Sequence, residues 1–195
     1  MVVLALLAEA PMHAYRMHEL IKERGKDSVV NVAQRNSVYQ TIARLLRARL
    51  IRVHETERAE GRPERVVYHI TDDGAAALRA WVADVLAVPA REFPLFPAAL
   101  SFLVLLPPND ARRRLEARVA ALEAQLGTAE AVTTAARASG LPRLFLVEDE
   151  YRHAMVRAEL AWLRDLIDDL RSRRLTWSKE WVRKVAAAMA GGGHR

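Results

Sequence analysis

Between Gln34 and Ile51 the chain carries side chains able to recognise a nucleic acid: Arg35, Asn36, Ser37, Tyr39, Gln40, Arg44 and Arg47. An arginine fork pairs with phosphate oxygens or guanine, and an Asn or Gln amide can bond both polar groups of adenine. Val38, Ile42, Leu45 and Leu46 fall at i, i+4, i+7 and i+8, one apolar stripe of a helix. Tyr39, Gln40, Ala43, Arg44 and Arg47 are left on the opposite face. From Ser28 to His54 there are five arginines and no carboxylate, so that face is basic. Ser37 followed by Gln40 predicts a capping-box start. A short helix with a buried stripe and a basic, amide-bearing outer face suits insertion into a DNA major groove. The competing reading is a solvated surface helix with its arginines in water.

Other chemistry is sparse. Glu150 and His153 have the Glu-x-x-His spacing of di-iron carboxylate bundles, but the second such motif and the further carboxylates are missing. With Glu148 and Asp149 they are expected to form a solvated or ion-paired surface, with no metal. His54 and His69 are placed to face each other across a hairpin as exposed imidazoles. Ser101 and Ser178 have no attendant base, and no Gly-rich phosphate loop occurs. The absence of cysteine excludes disulfides, zinc-thiolate sites and cysteine nucleophiles. The expectation is a protein that is not an enzyme and takes no cofactor.

The elements that must position the basic helix can be read on either side of it. Val3, Leu4 and Leu7 share one helical face ended by Pro11. A second helix over about His13–Arg24 turns Ala14, Met17, Leu20 and Ile21 inward, with Gly25 as C-cap and residues 26–34 as a loop. Ile51–Thr56 and Arg65–Ile70 alternate with a period of two, and Gly61 and Pro63 mark the turn between them, so a hairpin with a basic tip follows. Thr71 is placed to cap a fourth helix whose Gly74, Leu78, Trp81 and Val85 share a face. This order is that of a winged helix-turn-helix.

A hinge is expected near Ala87–Arg91, dividing a domain at 1–88 from one at 89–190, with 191–195 a disordered tail. The uncharged run Phe93–Leu106, at 14 residues, is short of the roughly 20 that span a bilayer and reads as a buried helix. In the next helix Leu115, Val119, Leu122 and Leu126 alternate spacings of three and four, a coiled-coil-like seam. A long helix over about Leu141–Arg174 carries two apolar stripes. One is Leu144, Val147, Tyr151, Met155, Ala158 and Trp162; the other is Leu160, Leu163, Ile167 and Leu170. Two stripes need partners on both sides, so the seam residues and the second stripe are expected to join two copies, unless one stripe lies under the first domain. Trp177, Trp181, Val185 and Met189 continue one face of a final helix. The N-terminus has no basic n-region and reads as a first helix, not a signal peptide, which makes a cytoplasmic protein the expectation. A net charge of +6 favours a polyanionic partner.

With these residues in place, the first 85 resemble the PadR family of bacterial transcriptional regulators. Leu4–Tyr15 resembles the family's opening, with Ala14 where Gly is usual. Asn36–Leu45 resembles its recognition helix, and Gly61-Arg62-Pro63 with Val67–Thr71 and Gly74 resembles its wing and fourth helix. Glu92-Phe93, Leu100–Phe102 and Glu159–Leu163 loosely resemble the helical dimerisation region of the longer subfamily. Arg49 stands where a Gly commonly closes the recognition helix. The resemblance implies a ligand-responsive repressor, mainly helical, acting as a homodimer on an inverted repeat of double-stranded operator DNA. It implies Gln40, Tyr39 and Asn36 near base edges, Ser37, Arg35, Arg44 and Arg47 on phosphates, and Arg62 in the minor groove. It also implies a small aromatic or drug-like effector, for which Trp81, Trp162, Trp177 and Trp181 are candidate contacts. The alternative is a winged-helix module that docks a protein or RNA in place of duplex DNA.

Overall fold

The computed structural model describes residues 1–25, 35–57 and 65–191 and divides the chain into two compact units, Met1–Glu92 and Phe93–Arg195. The expected loop at 26–34 lies outside the described residues, and so does the tail beyond Gly191.

The first unit runs α1 (Val2–Glu9), β1 (Met12–His13), α2 (Ala14–Glu23), α3 (Arg35–Arg47), β2 (Ile51–Glu57), β3 (Arg65–Ile70) and α4 (Asp72–Ala87). Its core joins Val3, Leu4, Leu6 and Leu7 of α1, Met17 and Ile21 of α2, Val38 and Ile42 of α3, and Ile51 of β2. Each helix contributes one stripe, as its periodicity requires. The strands form an antiparallel sheet in the order β1-β3-β2. The two-residue β1, Met12 and His13 opposite Tyr68 and Val67, adds an edge to the expected hairpin; two residues are too few to show a period. His13 also caps α2, its Nδ1 accepting from the Arg16 amide at 3.0 Å. A bidentate pair from Arg24 to Glu9, at 2.6 and 2.7 Å, ties the end of α2 to the end of α1. The Glu9 carboxyl is held below its ordinary range, first by that hydrogen bond.

The second unit comprises α5 (Leu95–Leu100), a 3-10 turn at Leu103–Leu105, α6 (Pro108–Ala138), a 3-10 turn at Arg143–Phe145, α7 (Val147–Arg171) and α8 (Lys179–Gly191). Helices α6 and α7 pair along their length. Leu115 from α6 and Leu163, Ile167 and Leu170 from α7 form the centre of the core, with Val119 and Leu122 packed against it. The rows expected to join two copies therefore close on each other inside one chain: Leu115, Leu160, Leu163, Ile167 and Leu170 are buried, and Leu126 is half-buried. The 3-4 spacing reports a facing helix but not whose helix it is. Ion pairs flank the seam, Arg118–Glu159 at 2.6 Å, Arg164–Glu123 at 2.7 Å, Arg171–Glu116 at 3.2 Å and Arg137–Glu150 at 3.3 Å. Exposed pairs stabilise little, but the outermost two, Arg137–Glu150 and Arg171–Glu116, join opposite ends of the two helices as an antiparallel pairing requires.

Three further expectations are corrected. Phe93–Leu106 is not one buried helix: Pro94 and the Ser101–Phe102 turn confine it to two short pieces, and Phe93, Leu95, Phe102 and Leu105 stay exposed while Phe96 and Leu100 face the core. His153 is not solvated; it lies on the inward row of α7, seven residues before Leu160, and is buried with Nε2 lacking a hydrogen-bond partner among the described residues. Trp177 precedes α8, packs on the second core and donates from Nε1 to the Leu106 carbonyl at 2.9 Å. A fourth difference is that the 3-10 turn at Arg143–Phe145 delays the start of α7 to Val147, relative to the expected Leu141.

Candidate nucleic-acid interface

Helix α3 is set into the first unit by its buried side. Val38 and Ile42 are covered and Leu45 and Leu46 half-covered. Facing outward, Tyr39, Gln40, Ala43, Arg44 and Arg47 are all exposed. The helix starts at Arg35, so Ser37 sits inside its first turn and is not the N-cap. A Ser-x-x-Gln pattern caps only when the Ser backbone is extended; here the Ser37 carbonyl accepts from the Thr41 hydroxyl at 2.8 Å. Arg62 lies outside the described residues, as do the side chains of Arg35 and Asn36.

Charge on this face is uncommitted. Among the described residues neither Arg44 nor Arg47 has an ion-pair partner, and Arg44 donates only to the Thr41 hydroxyl at 3.3 Å. Elsewhere in the unit Arg16 pairs with Glu19 and Glu23, and Arg24 with Glu9. Tyr39 is 57% exposed, so much of its side chain is presented outward. Burial, and then the neighbouring Tyr39 phenol, push the Tyr68 phenol above its ordinary range, so Tyr68 stays neutral.

The far end of α3 is closed without glycine. The Arg49 amide donates to the Leu46 carbonyl and the Leu50 amide to the Leu45 carbonyl, both at 3.0 Å, a Schellman closure with Arg49 at φ 57°. A left-handed conformation strains a residue with a Cβ. Arg49→Gly is therefore expected to raise stability by about 0.5–1 kcal/mol, read as a small upward shift in thermal melting; a fall would contradict the strain. Thr71 locks the closure to α4. Its hydroxyl donates to the Arg49 carbonyl at 2.9 Å and accepts from the Gly74 amide at 3.0 Å, and its own amide donates to the Leu50 carbonyl at 3.1 Å. Thr71 and Gly74 thus help fix the orientation of the basic face. Their part was legible only as a cap, because the contact spans 22 residues of sequence.

On the wing, β2 and β3 pair in register except at His54, an extra residue between Val53 and Glu55. This bulge brings the His54 ring to 5.7 Å from that of His69, as the hairpin reading required. The Nδ1 of His69 is engaged by the Ile70 carbonyl. Among the described residues no group of three or more His, Cys, Asp or Glu side chains could hold a metal ion. In the second unit Glu150 is held by Arg143 at 2.9–3.2 Å and by Arg137, and the hydrogen bonds from Arg143 keep its carboxyl below the ordinary range.

The candidate effector tryptophans are spread over both units. Trp81 is on α4 and 44% exposed, Trp181 on α8 and 54% exposed, and Trp177 is tied to Leu106. Trp162 on α7 meets the Phe96 ring edge-on at 6.4 Å and lines a cavity of about 430 Å³ with Pro94, Leu100, Arg118 and Glu159. The Arg118 guanidinium lies 3.7 Å from the centroid of Phe96.

A three-helix unit completed by a β-hairpin, with the third helix presenting a bare basic face, defines a winged helix-turn-helix protein. The model of the transcriptional regulator PadR-like family matches residues 3–80, most of this N-terminal unit. Among solved structures it is similar to Bacillus subtilis PadR in complex with operator DNA, with a TM-score of 0.69 and 19% identity over 87% of this chain and 95% of that one. The same protein in complex with p-coumaric acid aligns with a TM-score of 0.68 and 15% identity, covering 87% of this chain and 96% of that one. The Vibrio cholerae virulence activator AphA aligns with a TM-score of 0.65 and 18% identity, covering 88% and 97% respectively. At these identities the likeness establishes the fold. No curated protein matches the sequence.

Proposed function

We propose that the protein is a sequence-specific DNA-binding repressor that acts as a homodimer on an inverted-repeat operator and responds to a small aromatic or drug-like effector. The observation that carries this reading is the outward side of α3, where Tyr39, Gln40, Arg44 and Arg47 are exposed and both of these arginines lack a carboxylate partner among the described residues. In the proposed complex Gln40, Tyr39 and Asn36 approach base edges, Arg35, Ser37, Arg44 and Arg47 meet phosphates, and Arg62 enters the minor groove. Residues 1–88 are the DNA-binding domain and 89–190 the dimerisation and effector domain. The protein binds DNA without catalysing a reaction and works in the cytoplasm, where the operator lies.

Dimerisation is assigned to the other stripe of α7. Val147, Tyr151, Met155 and Trp162 are between 47% and 64% exposed in one copy, and this apolar row continues from Leu144 along a helix whose opposite side is already filled. A second copy is the economical cover, since a twofold protein matches a twofold site with half-sites roughly 34 Å apart. The cavity beside Trp162 is the proposed place for the effector, since aromatic walls with few polar groups suit a flat ligand.

A salt series on the DNA upstream of the protein's own gene tests the assignment. Arg44→Ala is expected to weaken binding to every duplex roughly tenfold and to flatten the log-log salt slope by about one, because one phosphate contact is lost. Gln40→Ala is expected to leave that slope alone and to lose about 1–3 kcal/mol of discrimination between operator and scrambled DNA. Identical behaviour of the two variants would remove the distinction between phosphate and base contact.

A further inference from the structure

We infer that the cavity between the start of α6 and the end of α7 binds the phosphoryl group of a small organic phosphate, a site separate from both the DNA face and the aromatic pocket. The cavity measures about 600 Å³, the size of a small-molecule site. Its wall carries Arg112, Arg171 and Arg173 together with Asn109 and Thr176, over the apolar floor of Leu170; Glu116 and Asp168, which pair with Arg112 and Arg171, are not among the residues that line it. Three arginines from three pieces of structure line it: α6, the last turn of α7 and the segment that follows.

Two of the three are pre-arranged. The Oε1 of Glu116 accepts from Arg112 Nη1 at 2.7 Å and from Arg171 Nη2 at 3.2 Å, holding two like charges side by side. Arg171 also donates to Asp168 at 3.2 Å. A guanidinium has five N–H donors, so both retain donors for a ligand after these bonds. Arg173 has no ion-pair partner among the described residues, and its backbone at φ 61° belongs to the turn that ends α7. Three of the last four carbonyls of α7, which would repel an anion, accept hydrogen bonds: Asp168 from the Ser172 amide at 2.9 Å, Asp169 from the Leu175 amide at 3.1 Å and Leu170 from the Arg173 amide at 3.4 Å. Opposite them the first turn of α6 adds the positive end of a 31-residue helix.

The number of guanidiniums selects the ligand. One arginine fork satisfies the two oxygens of a carboxylate, whereas three guanidiniums can each take an oxygen of a phosphoryl dianion. Thr176 and Asn109 supply neutral hydrogen-bonding groups for the rest of the molecule. Thr176 also lies in the short segment joining α7 to α8, next to the anchored Trp177, so a bound phosphate would fasten that segment to α6.

Titration calorimetry on the full chain tests the site with AMP, glucose 6-phosphate and inorganic pyrophosphate as probes, against sulfate and citrate. At least one phosphate compound is expected to bind at least about tenfold more tightly than sulfate or citrate, and the preferred probe separates a nucleotide from a sugar phosphate or a bare phosphate group. Arg173→Gly removes one charge at a position where glycine takes the backbone without strain, so the protein should melt no lower while the affinity falls about tenfold or more. Arg173→Asn, which also tolerates that conformation, provides the same test should the glycine variant fold poorly. Arg113→Ala, next to the cavity but paired with Asp110, should bind as the parent does. The proposal is overturned if no phosphate compound outcompetes sulfate, if both Arg173 variants keep full affinity, or if small phosphates fail to bind while the same variants weaken binding to random duplex DNA, which would make the patch a DNA-backbone contact.

Discussion

Gly74→Ala is expected to destabilise the first unit by roughly 3 kcal/mol, although alanine is the better helix former by about 1 kcal/mol. A Cβ at position 74 would lie 2.0 Å from the Leu50 carbonyl oxygen and 2.9 Å from Cγ1 of Ile70. The first contact is with backbone, and that oxygen is already held by the Thr71 amide at 3.1 Å, so relief requires α4 to move away from the end of α3. Moving it would break the Thr71 bridge as well. Melting followed by circular dichroism should show a loss of roughly 10–20 °C for a unit of this size, with weakened operator binding because the basic face loses its support. A variant as stable as the parent would mean that the helix packs differently at Leu50.

Leu163→Ala and Met155→Glu form the second large contrast, because they test which stripe of α7 is internal. Leu163 has no exposure and sits among Leu115, Ile167 and Leu170, so its truncation should cost about 2–5 kcal/mol in the protomer through lost burial and an unfilled cavity. Met155 is 49% exposed in one copy, and a glutamate there should alter protomer stability by less than about 0.5 kcal/mol. In the proposed dimer the same glutamate would bury an unpaired charge, so association should weaken by two orders of magnitude or more, by about 3 kcal/mol. Sedimentation over a concentration series, read beside thermal melts, separates the two effects. A Met155→Glu protein that stays associated at all concentrations would move the interface elsewhere.

Both predictions depend on relations that differ in how far they reach along the chain. The outer face of α3 was legible from residue spacing, because Val38 and Ile42 can be buried together only if Gln40, Arg44 and Arg47 turn the other way. Thr71 as a helix cap and the β2–β3 hairpin were legible for the same reason: capping and alternation are satisfied within a few residues. The start of α3 was not, since a Ser-x-x-Gln pattern is compatible with both a cap and a first turn, and only the conformation of the two preceding residues distinguishes them. Arg49, which stands where a Gly commonly closes the recognition helix, takes the left-handed conformation at φ 57° and accepts the strain.

What the amino-acid order determined by itself was therefore local: the helices and strands, the apolar side of α3, and hence the basic surface offered outward. Tertiary structure alone decided which apolar rows meet. Periodicity required partners for two stripes of α7 but could not choose between α6 of the same chain and another molecule, because an apolar row carries no address. The burial of His153 and the meeting of Arg112, Arg171 and Arg173 around one cavity follow from that same pairing of α6 with α7. They join residues up to some sixty positions apart, beyond the reach of any repeating pattern of hydrophobicity.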